Sequence, residues 1–347
     1  MNLNSKIYIA GHNGLVGSTI LKKLNLLGYK NLITVDFSKL DLRRQKEVEA
    51  FFEQEKPEYV FLAAARVGGI LANSTYKAEF IYDNLMIASN IIHSSFKYGV
   101  KKLLNLGSSC IYPKNAPQPL KEEYLLSDYL EETNEPYAIA KIAAIKLCRY
   151  YNEQYGTNFI SVMPTNLYGV KDNFNLETSH VLSGLIRKFH LAKLLSKNDF
   201  ENILLDVKKY SLGFNFKYTN NFDLEKFLKR IGIEKDKVTL WGTGKPFREF
   251  LHVDDLVDAI IFLMQNFDYK DIGEIINIGS GKDLTIKNLA CLIKEIICFD
   301  GDIKFDKTKP DGTPQKLLNV SRINTLGWRF KINLKDGIKR VYKDFKS

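Results

Sequence analysis

The fold prediction starts from residues 6–28, KIYIAGHNGLVGSTILKKLNLLG. The segment begins with a short apolar run, which predicts a strand, and a glycine turn follows. The leucine and isoleucine residues after the turn have helical spacing, which predicts a helix. In the turn, Gly11, Gly14 and Gly17 permit tight bending, close approach of a pyrophosphate and helix-to-strand packing. The helix N-terminus attracts phosphates, so the segment predicts a dinucleotide site, although glycines in such a turn are sometimes only structural.

Four further apolar segments predict strands that alternate with helical stretches. They are NLITVD, ending at Asp36, YVFLAAA, ending near Ala65, KLLNLGSS, ending near Ser109, and FISVMPTNLYG, ending near Asn166. This alternation is typical of an α/β protein with a Rossmann-type, doubly wound parallel sheet. We expect residues 1–169 to form this dinucleotide-binding core, rejoined by about residues 238–280. Residues 170–347 then form a smaller C-terminal substrate-binding lobe.

Composition and charge narrow the function. The net charge is +10 over 347 residues, but lysine and arginine are spread along the chain among acidic residues. This pattern favours a solvated surface with a few phosphate contacts over a nucleic-acid groove. No apolar run approaches the length needed to cross a bilayer, and the first residues lack a signal-peptide pattern, so we expect a cytoplasmic protein without a membrane role. Four cysteines without CxxC or metal-ligand spacing predict reduced thiols and no metal site.

The segment NEPYAIAKIAAIKL, residues 134–147, predicts a largely buried helix with a reactive face. Pro136 suits its first turn, and small apolar residues surround the helix. Tyr137 and Lys141 are four positions apart and therefore share one face. A tyrosine is a poor acid or base at neutral pH unless a nearby cation lowers its pKa, and Lys141 is such a cation.

The predicted fourth strand ends in GSSC, which places Ser108, Ser109 and Cys110 at the edge of the sheet where ligands bind. We expect Tyr137 to exchange a proton with a substrate oxygen while Ser108 hydrogen-bonds the same oxygen. Lys141 would also hold the ribose of the cofactor. Hydride transfer at a carbonyl requires such an arrangement.

The sequence leaves open the choice between NAD(H) and NADP(H) as the cofactor. Asp36 ends the second predicted strand, where a carboxylate usually binds the ribose 2′-hydroxyl of NAD and repels a 2′-phosphate. Lys39, Arg43, Arg44 and the amide of Asn13 are near enough in sequence to oppose that effect. Asp36 is equally well explained as a turn or capping residue.

The order of GxxGxxG, a strand-end serine and Tyr-x-x-x-Lys resembles the extended short-chain dehydrogenase/reductases. Within them, the chain resembles the GDP-L-fucose synthase family from about residue 6 to about residue 330. The matching stretches are IAGHNGLVGS, LAAARVGGI, NLGSSCIYP, TNEPYAIAKIAAIKLC, SVMPTNLYG, REFLHVDD and KPDGTPQKLL. The resemblance implies a homodimer that uses NADP(H) to reduce the C4 ketone of a GDP-4-keto sugar, with or without prior 3,5-epimerisation.

The resemblance also assigns individual residues. Ser108, Tyr137 and Lys141 take the catalytic roles described above, while Cys110 and His180 move protons at C3 and C5. From spacing alone, Cys110 is better explained as a small buried residue and His180 as a loop residue. The implied cofactor contacts are Gly11, Asn13, Gly14, Leu15, Val16, Gly17, Asp36, Leu106, Ser109, Lys141, Pro164, Asn166, Leu167 and His180. The implied GDP-sugar contacts are Asn166, Lys188, Trp241, Arg248 and Asp311.

Three departures from the family pattern affect the substrate and the cofactor. Lys188 replaces an arginine and loses its bidentate fork, and Asp36 replaces a basic residue, so NAD(H) stays an alternative to NADP(H). Residues 193–236 form a longer connection than usual, which we expect either to reshape the pocket for a GDP-4-keto-heptose or to be a surface insertion. A plain C4-reductase and a non-catalytic dinucleotide-sensing protein are the remaining alternatives.

Overall fold

The computed structural model describes residues 1–218 and 220–347. The strands are β1 (Lys6–Ala10), β2 (Asn31–Ile33), β3 (Tyr59–Leu62), β4 (Lys102–Leu106), β5 (Phe159–Pro164), β6 (Asn166–Tyr168), β7 (Lys237–Trp241), β8 (Phe247–His252), β9 (Ile276–Ile278), β10 (Asp283–Thr285), β11 (Asp302–Asp306) and β12 (Gln315–Lys316). The helices are α1 (Leu15–Leu26), α2 (Gln45–Glu55), α3 (Ile70–Thr75), α4 (Lys77–Lys97), α5 (Glu135–Tyr155), α6 (Val181–Ser196), α7 (Phe200–Lys209), α8 (Asn221–Arg230), α9 (Val253–Asn266), α10 (Tyr269–Ile272), α11 (Ile286–Ile297), α12 (Ser321–Thr325) and α13 (Leu334–Lys346).

A parallel six-stranded sheet forms the core, in the order β2-β1-β3-β4-β5-β9. The predicted α/β class and doubly wound parallel sheet are confirmed. The helices α1 and α9 pack on one face of the sheet, and α2, α4 and α5 pack on the other. Because the chain passes from β2 across β1 to β3, the direction of winding reverses between β1 and β3. Their carboxyl ends open a crevice there, where such sheets bind ligands.

Four predicted strands end differently from the expectation. The third stops at Leu62 and the fourth at Leu106, each three residues before its predicted end. The second strand stops at Ile33, so Asp36 lies in the loop beyond it. The fifth segment forms two strands, because the chain leaves the core sheet at Thr165. The backbone N–H of Thr165 donates to Ile278 of β9, while its hydroxyl donates to the carbonyl of Glu249 in β8. The chain thereby passes from the core sheet into a second sheet, in which β6 pairs with β8.

The second lobe is built from later segments of the chain. Strand β8 pairs with β6, β10 and β12, and β7 pairs with β11. Apolar side chains from α6, α7, α8, α11 and α13 fill its core. Residues 193–236 contribute Ile203, Leu224 and Phe227 to that core, so the expectation of a surface insertion is wrong. The stretch therefore contributes to the stability of the lobe, because removing its buried side chains would leave cavities.

Among the described residues, no helix combines the length and apolarity needed to cross a membrane. The same part of the chain contains no group of three histidine, cysteine or acidic side chains arranged to hold a metal ion.

Candidate active site

The glycine turn after β1 has the shape of a phosphate cradle. Gly11 has a φ of +86°, and a Cβ there would lie 2.7 Å from the backbone of Ala64, so only glycine fits. A Cβ on Gly17 would lie 2.1 Å from the carbonyl oxygen of Gly11. At Gly14, which precedes α1, the nearest atom to a Cβ would be that oxygen at 3.5 Å, and the remaining space is open. This geometry fits a pyrophosphate held at the N-terminus of α1.

One cavity of about 1430 Å³ runs from the glycine turn into the second lobe. A pocket for one small ligand measures about 300–1,000 Å³, so this cavity has room for a dinucleotide and a second large molecule. All of the predicted site residues except Asp36 line it. They are Gly11, Asn13, Gly14, Leu15, Val16, Gly17, Leu106, Ser108, Ser109, Cys110, Tyr137, Lys141, Pro164, Asn166, Leu167, His180, Lys188, Trp241, Arg248 and Asp311.

Tyr137 and Lys141 lie together in the first two turns of α5. The Nζ atom of Lys141 is 5.7 Å from the centre of the Tyr137 ring and donates to the carbonyl oxygen of Leu106 at 2.8 Å. Burial lowers the pKa of Lys141 to about 8. Burial and the nearby Cys110 raise the pKa of Tyr137, although Ser108 opposes the rise. The expectation that Lys141 lowers this pKa is therefore wrong for the protein alone; Tyr137 keeps its proton and suits the role of a proton donor.

Cys110 is held in a polar environment. Its sulfur accepts hydrogen bonds from Nδ2 of Asn134 at 3.3 Å and from Nζ of Lys316 at 3.4 Å, and its backbone N–H donates to Oγ of Ser108. Burial raises the pKa of the thiol, but Lys316, Ser108 and Arg248 outweigh that effect, so the net pKa lies below its ordinary value. Sequence reasoning missed Asn134 and Lys316. Both lie in stretches that resemble the family, but no spacing rule connects residue 316 with residue 110.

His180 caps the N-terminus of α6, and its side chain faces the cavity. The surrounding protein lowers its pKa by desolvation, so the neutral ring is favoured at pH 7. Asp172 in the same loop also lines the cavity and was missed by sequence reasoning. Burial raises the pKa of Asp172 to about 7, although a hydrogen bond from the backbone of Asn173 and contact with Ser183 oppose the rise.

The opposite end of the cavity carries the cations and the indole predicted for the nucleotide sugar. Lys188 donates to the carbonyl oxygen of Ile231 at 2.9 Å, and burial lowers its pKa to about 8. Burial also lowers the pKa of Arg248. Trp241 ends β7 and is half exposed in the cavity wall.

Asp311 is held by two hydrogen bonds from a single neighbouring residue. Its two oxygens accept hydrogen bonds from the backbone N–H and the hydroxyl of Thr243, at 2.6 and 2.7 Å. Asp311 therefore fixes the turn that follows Trp241, in addition to lining the cavity.

Asp36 lies beside the glycine turn rather than in the cavity wall. Its Oδ1 atom accepts a hydrogen bond from Nδ2 of Asn13 at 2.7 Å and lies 3.4 Å from Nε2 of His12. The guanidinium of Arg43 is bound to Asp41 and Asp83, so it is not free for a phosphate. The carboxylate of Asp36 is thus held in place beside the turn.

A dinucleotide-type sheet with serine, tyrosine and lysine gathered in its crevice defines a nicotinamide-dependent oxidoreductase of the short-chain dehydrogenase/reductase class. Residues 7–206 and 207–279 match the model of the NAD dependent epimerase/dehydratase family. The chain belongs to this family, and within it to the relatives of GDP-L-fucose synthase, so the predicted resemblance is confirmed.

Comparisons with individual proteins agree with this assignment. GDP-L-fucose synthase 1 of Arabidopsis thaliana is 50% identical over 339 residues, which cover 98% of this chain and 92% of that protein. The crystal structure of a GDP-6-OMe-4-keto-L-xylo-heptose reductase from C. jejuni is 46% identical, covers 100% of this chain and 99% of the other, and has a TM-score of 0.94. The structure of a GDP-mannoheptose C4 reductase from Campylobacter jejuni with NADP bound is 47% identical, covers 100% of both chains and has a TM-score of 0.88.

Proposed function

We propose that this protein reduces the C4 carbonyl of a GDP-4-keto sugar with NADPH. The observation that carries the proposal is the position of Tyr137 and Lys141, one helical turn apart in the wall of a cavity that begins at a phosphate cradle. The related proteins named above act on GDP-sugars, and one of them was solved with NADP bound. The turn from Gly11 to Gly17 would hold the pyrophosphate of the cofactor, which supplies a hydride when bound.

The positions of the reacting groups support a role for each of them. The phenol of Tyr137 keeps its proton and donates it to the carbonyl oxygen as the carbonyl is reduced. Ser108 lies in the same wall and hydrogen-bonds that oxygen, which fixes its position. The ammonium of Lys141 stabilises the phenolate that Tyr137 leaves behind and binds the ribose of the cofactor.

Cys110 and His180 supply proton transfer at the carbons beside the ketone. A C4 ketone makes the hydrogens on C3 and C5 acidic, because their removal gives an enolate. The lowered pKa of the Cys110 thiol supports its role as a base, and the ring of His180 in the same cavity is a second proton carrier. The proposed reaction is therefore 3,5-epimerisation followed by reduction at C4.

A second candidate is C4 reduction of a GDP-4-keto-heptose without epimerisation. The stretch 193–236 favours it, because Phe214 and residues 229–232 line the cavity and Lys188 is tied to Ile231. The stretch thus contributes to the wall near the predicted substrate contacts, which would allow it to select the sugar. Deleting it would remove part of the lobe core, so single substitutions such as Phe214→Ala and Arg230→Ala are the proper test.

The test uses purified protein with NADPH or NADH and two substrates, GDP-4-keto-6-deoxymannose and a GDP-4-keto-heptose. Loss of nicotinamide absorbance measures reduction, product analysis identifies the sugar, and solvent deuterium at C3 and C5 reports epimerisation. Turnover of the hexose with deuterium at both carbons supports the main proposal. Turnover of the heptose without deuterium supports the second candidate. Turnover of neither substrate supports a dinucleotide-sensing protein.

We further propose that the protein is a cytoplasmic homodimer. The long helices α4 and α5 pack on each other, and their outer surfaces expose Tyr82, Ile139, Tyr150 and Tyr155. Exposed aromatic side chains on two neighbouring helices are typical of an interface. Sedimentation equilibrium of the purified protein measures the state directly, and a monomer at micromolar concentration would contradict this part of the proposal.

A further inference from the structure

The polar contacts of Cys110 include a cation from a distant part of the chain. Lys316 belongs to β12, which pairs in parallel with β8 so that Lys316 is the register partner of Arg248. Its Nζ atom is 3.4 Å from the sulfur of Cys110. Within residues 1–218 and 220–347, Lys316 forms no ion pair with a carboxylate. Its charge is therefore directed to the thiol.

The backbone on the C-terminal side of Lys316 is fixed. The N–H of Leu317 donates to Oε1 of Gln118 at 2.9 Å, and the N–H of Leu318 donates to Oε2 of the buried Glu249, also at 2.9 Å. Gln118 also donates to the carbonyl of Gln315. The bond to Glu249 ties this segment to β8, and the bonds with Gln118 fix its backbone, so the Lys316 side chain stays within reach of the cavity.

We propose that Lys316 is the counter-ion that holds Cys110 as a thiolate ready to remove the proton from a carbon beside the C4 carbonyl. Lys316 acts through Cys110 and is a positioning residue. The proposal rests on the proposed function and deepens it, because it assigns the charge that makes the thiol a base. It also favours epimerisation over plain reduction.

The step balances without an additional reactant. The sulfur takes the proton, and the electron pair of the broken C–H bond forms a C=C bond as the carbonyl becomes an enolate oxygen. Tyr137 and Ser108 hydrogen-bond that oxygen. His180 takes up a proton from solvent and passes it to the opposite face of the same carbon, which completes the inversion, and Cys110 then loses its proton to solvent, so the net exchange is one proton in and one proton out. Arg248, the other cation beside the thiol, donates to the carbonyl of Phe247 and is the predicted partner of the diphosphate.

The role of the Lys316 charge is tested with two variants. Lys316→Met removes the charge, and Lys316→Arg keeps it. Lys307→Met is the matched control, because it removes an exposed lysine that does not line the cavity. Iodoacetamide alkylation of the protein between pH 6 and 10, followed by mass spectrometry of the Cys110 peptide, gives the midpoint of thiol ionisation. The exposed Cys291 and Cys298 are internal references.

We expect Lys316→Met to raise the Cys110 midpoint by about 1 pH unit or more, as for loss of an adjacent opposite charge. Lys316→Arg and the control should leave it within about 0.3 unit of the parent protein. A merely structural role would not shift the midpoint in this charge-dependent way. An unchanged midpoint in Lys316→Met would overturn the proposal, and thermal unfolding of each variant identifies any that fail to fold.

The catalytic part is tested by incubating the GDP-4-keto sugar in D₂O without NADPH. Lys316→Met should slow deuterium entry by about tenfold or more, whereas Lys316→Arg should retain most of the rate. If the parent protein reduces the sugar but incorporates no deuterium, the proposal fails while the reductase function stands. If it reduces no GDP-4-keto sugar, the proposed function fails, and the alkylation profile still decides whether Lys316 holds the thiolate.

Discussion

The ammonium of Lys141 lies 5.7 Å from the centre of the Tyr137 ring and is bound to the carbonyl oxygen of Leu106. The lysine is thus near the phenol but is held by the end of β4 rather than by the phenol oxygen. In the protein alone, burial dominates the pKa of both side chains and favours their neutral forms. A bound dinucleotide would meet a lysine that is already positioned.

Substituting Tyr137→Phe should lower kcat for sugar reduction by about 100- to 10,000-fold, because a positioned proton donor contributes about that much. Binding of NADPH should change little, since the ring is kept, and quenching of tryptophan fluorescence measures it. Tyr129→Phe is the matched control, because Tyr129 is an exposed tyrosine that does not line the cavity. Activity of Tyr137→Phe within tenfold of the parent protein would exclude the phenol as the proton donor.

The pH dependence of kcat/KM should report Lys141. Its pKa of about 8 lies below the ordinary value of 10.5, so the charged form is present below pH 8 and is lost as the pH rises through 8. The charged ammonium is proposed to stabilise the Tyr137 phenolate and to bind the ribose of the cofactor. Therefore kcat/KM with limiting NADPH should fall above pH 8. Lys188 also has a pKa of about 8, so the profile is repeated with Lys188→Arg. Persistence of the decline in that variant assigns it to Lys141, and its disappearance would assign it to Lys188.

Asp36 should disfavour NADPH relative to NADH. A 2′-phosphate would approach a carboxylate that Asn13 holds in place. Substituting Asp36→Ala should therefore raise the ratio of kcat/KM for NADPH over NADH by about tenfold, the effect of removing one nearby like charge. The matched control is Glu53→Gln, which removes an exposed carboxylate from α2. An unchanged ratio would show that Asp36 only caps the glycine turn.

Arg187 should be a main determinant of lobe stability. Its side chain is fully buried and donates to Asp206 and to the carbonyls of Phe174, Tyr210 and Ser211. Substituting Arg187→Met leaves a buried carboxylate without its partner, which typically costs about 3–5 kcal/mol of unfolding free energy. Urea unfolding measures this loss.

The control for that loss is a surface ion pair. Arg149 binds Glu153 on α5 and also contacts Glu274, and all three side chains are partly exposed, so Arg149→Met should cost less than about 1 kcal/mol. Equal losses in the two variants would contradict the prediction that burial, rather than charge pairing as such, gives Arg187 its effect.

The local features of the site were predictable from the sequence because each is encoded within a few residues. The strand, glycine turn and helix around Gly11, and the shared face of Tyr137 and Lys141, follow from short spacings. The end of β2 was wrong by three residues, because nothing local separates the strand from the loop that carries Asp36. Lys316 was missed because strand pairing brings it to Cys110 across 206 positions.

The stretch 193–236 shows a second limit. The sequence shows no alternation of strands and helices there, yet α7 and α8 form and bury their apolar faces in the lobe. Both helices begin at a polar cap, Asp199 and Asn220 respectively, each of which accepts a bond from a backbone N–H in the first turn. Such caps are visible in the sequence, but the partner surface for these faces comes from other segments of the chain.

The pairing of β9 with β5 and of β12 with β8 has a consequence for biosynthesis. A ribosome finishes the glycine turn and the Tyr137 helix long before it makes residues 276–278, which complete the core sheet, or residue 316, which reaches the thiol. A nascent chain that stops before these strands contains the glycine turn, Tyr137 and the sugar-site residues up to Arg248, but it lacks the part of the cavity wall that carries Asp311 and Lys316. Translation therefore delivers most of the chemical groups first and the last part of the enclosure afterwards.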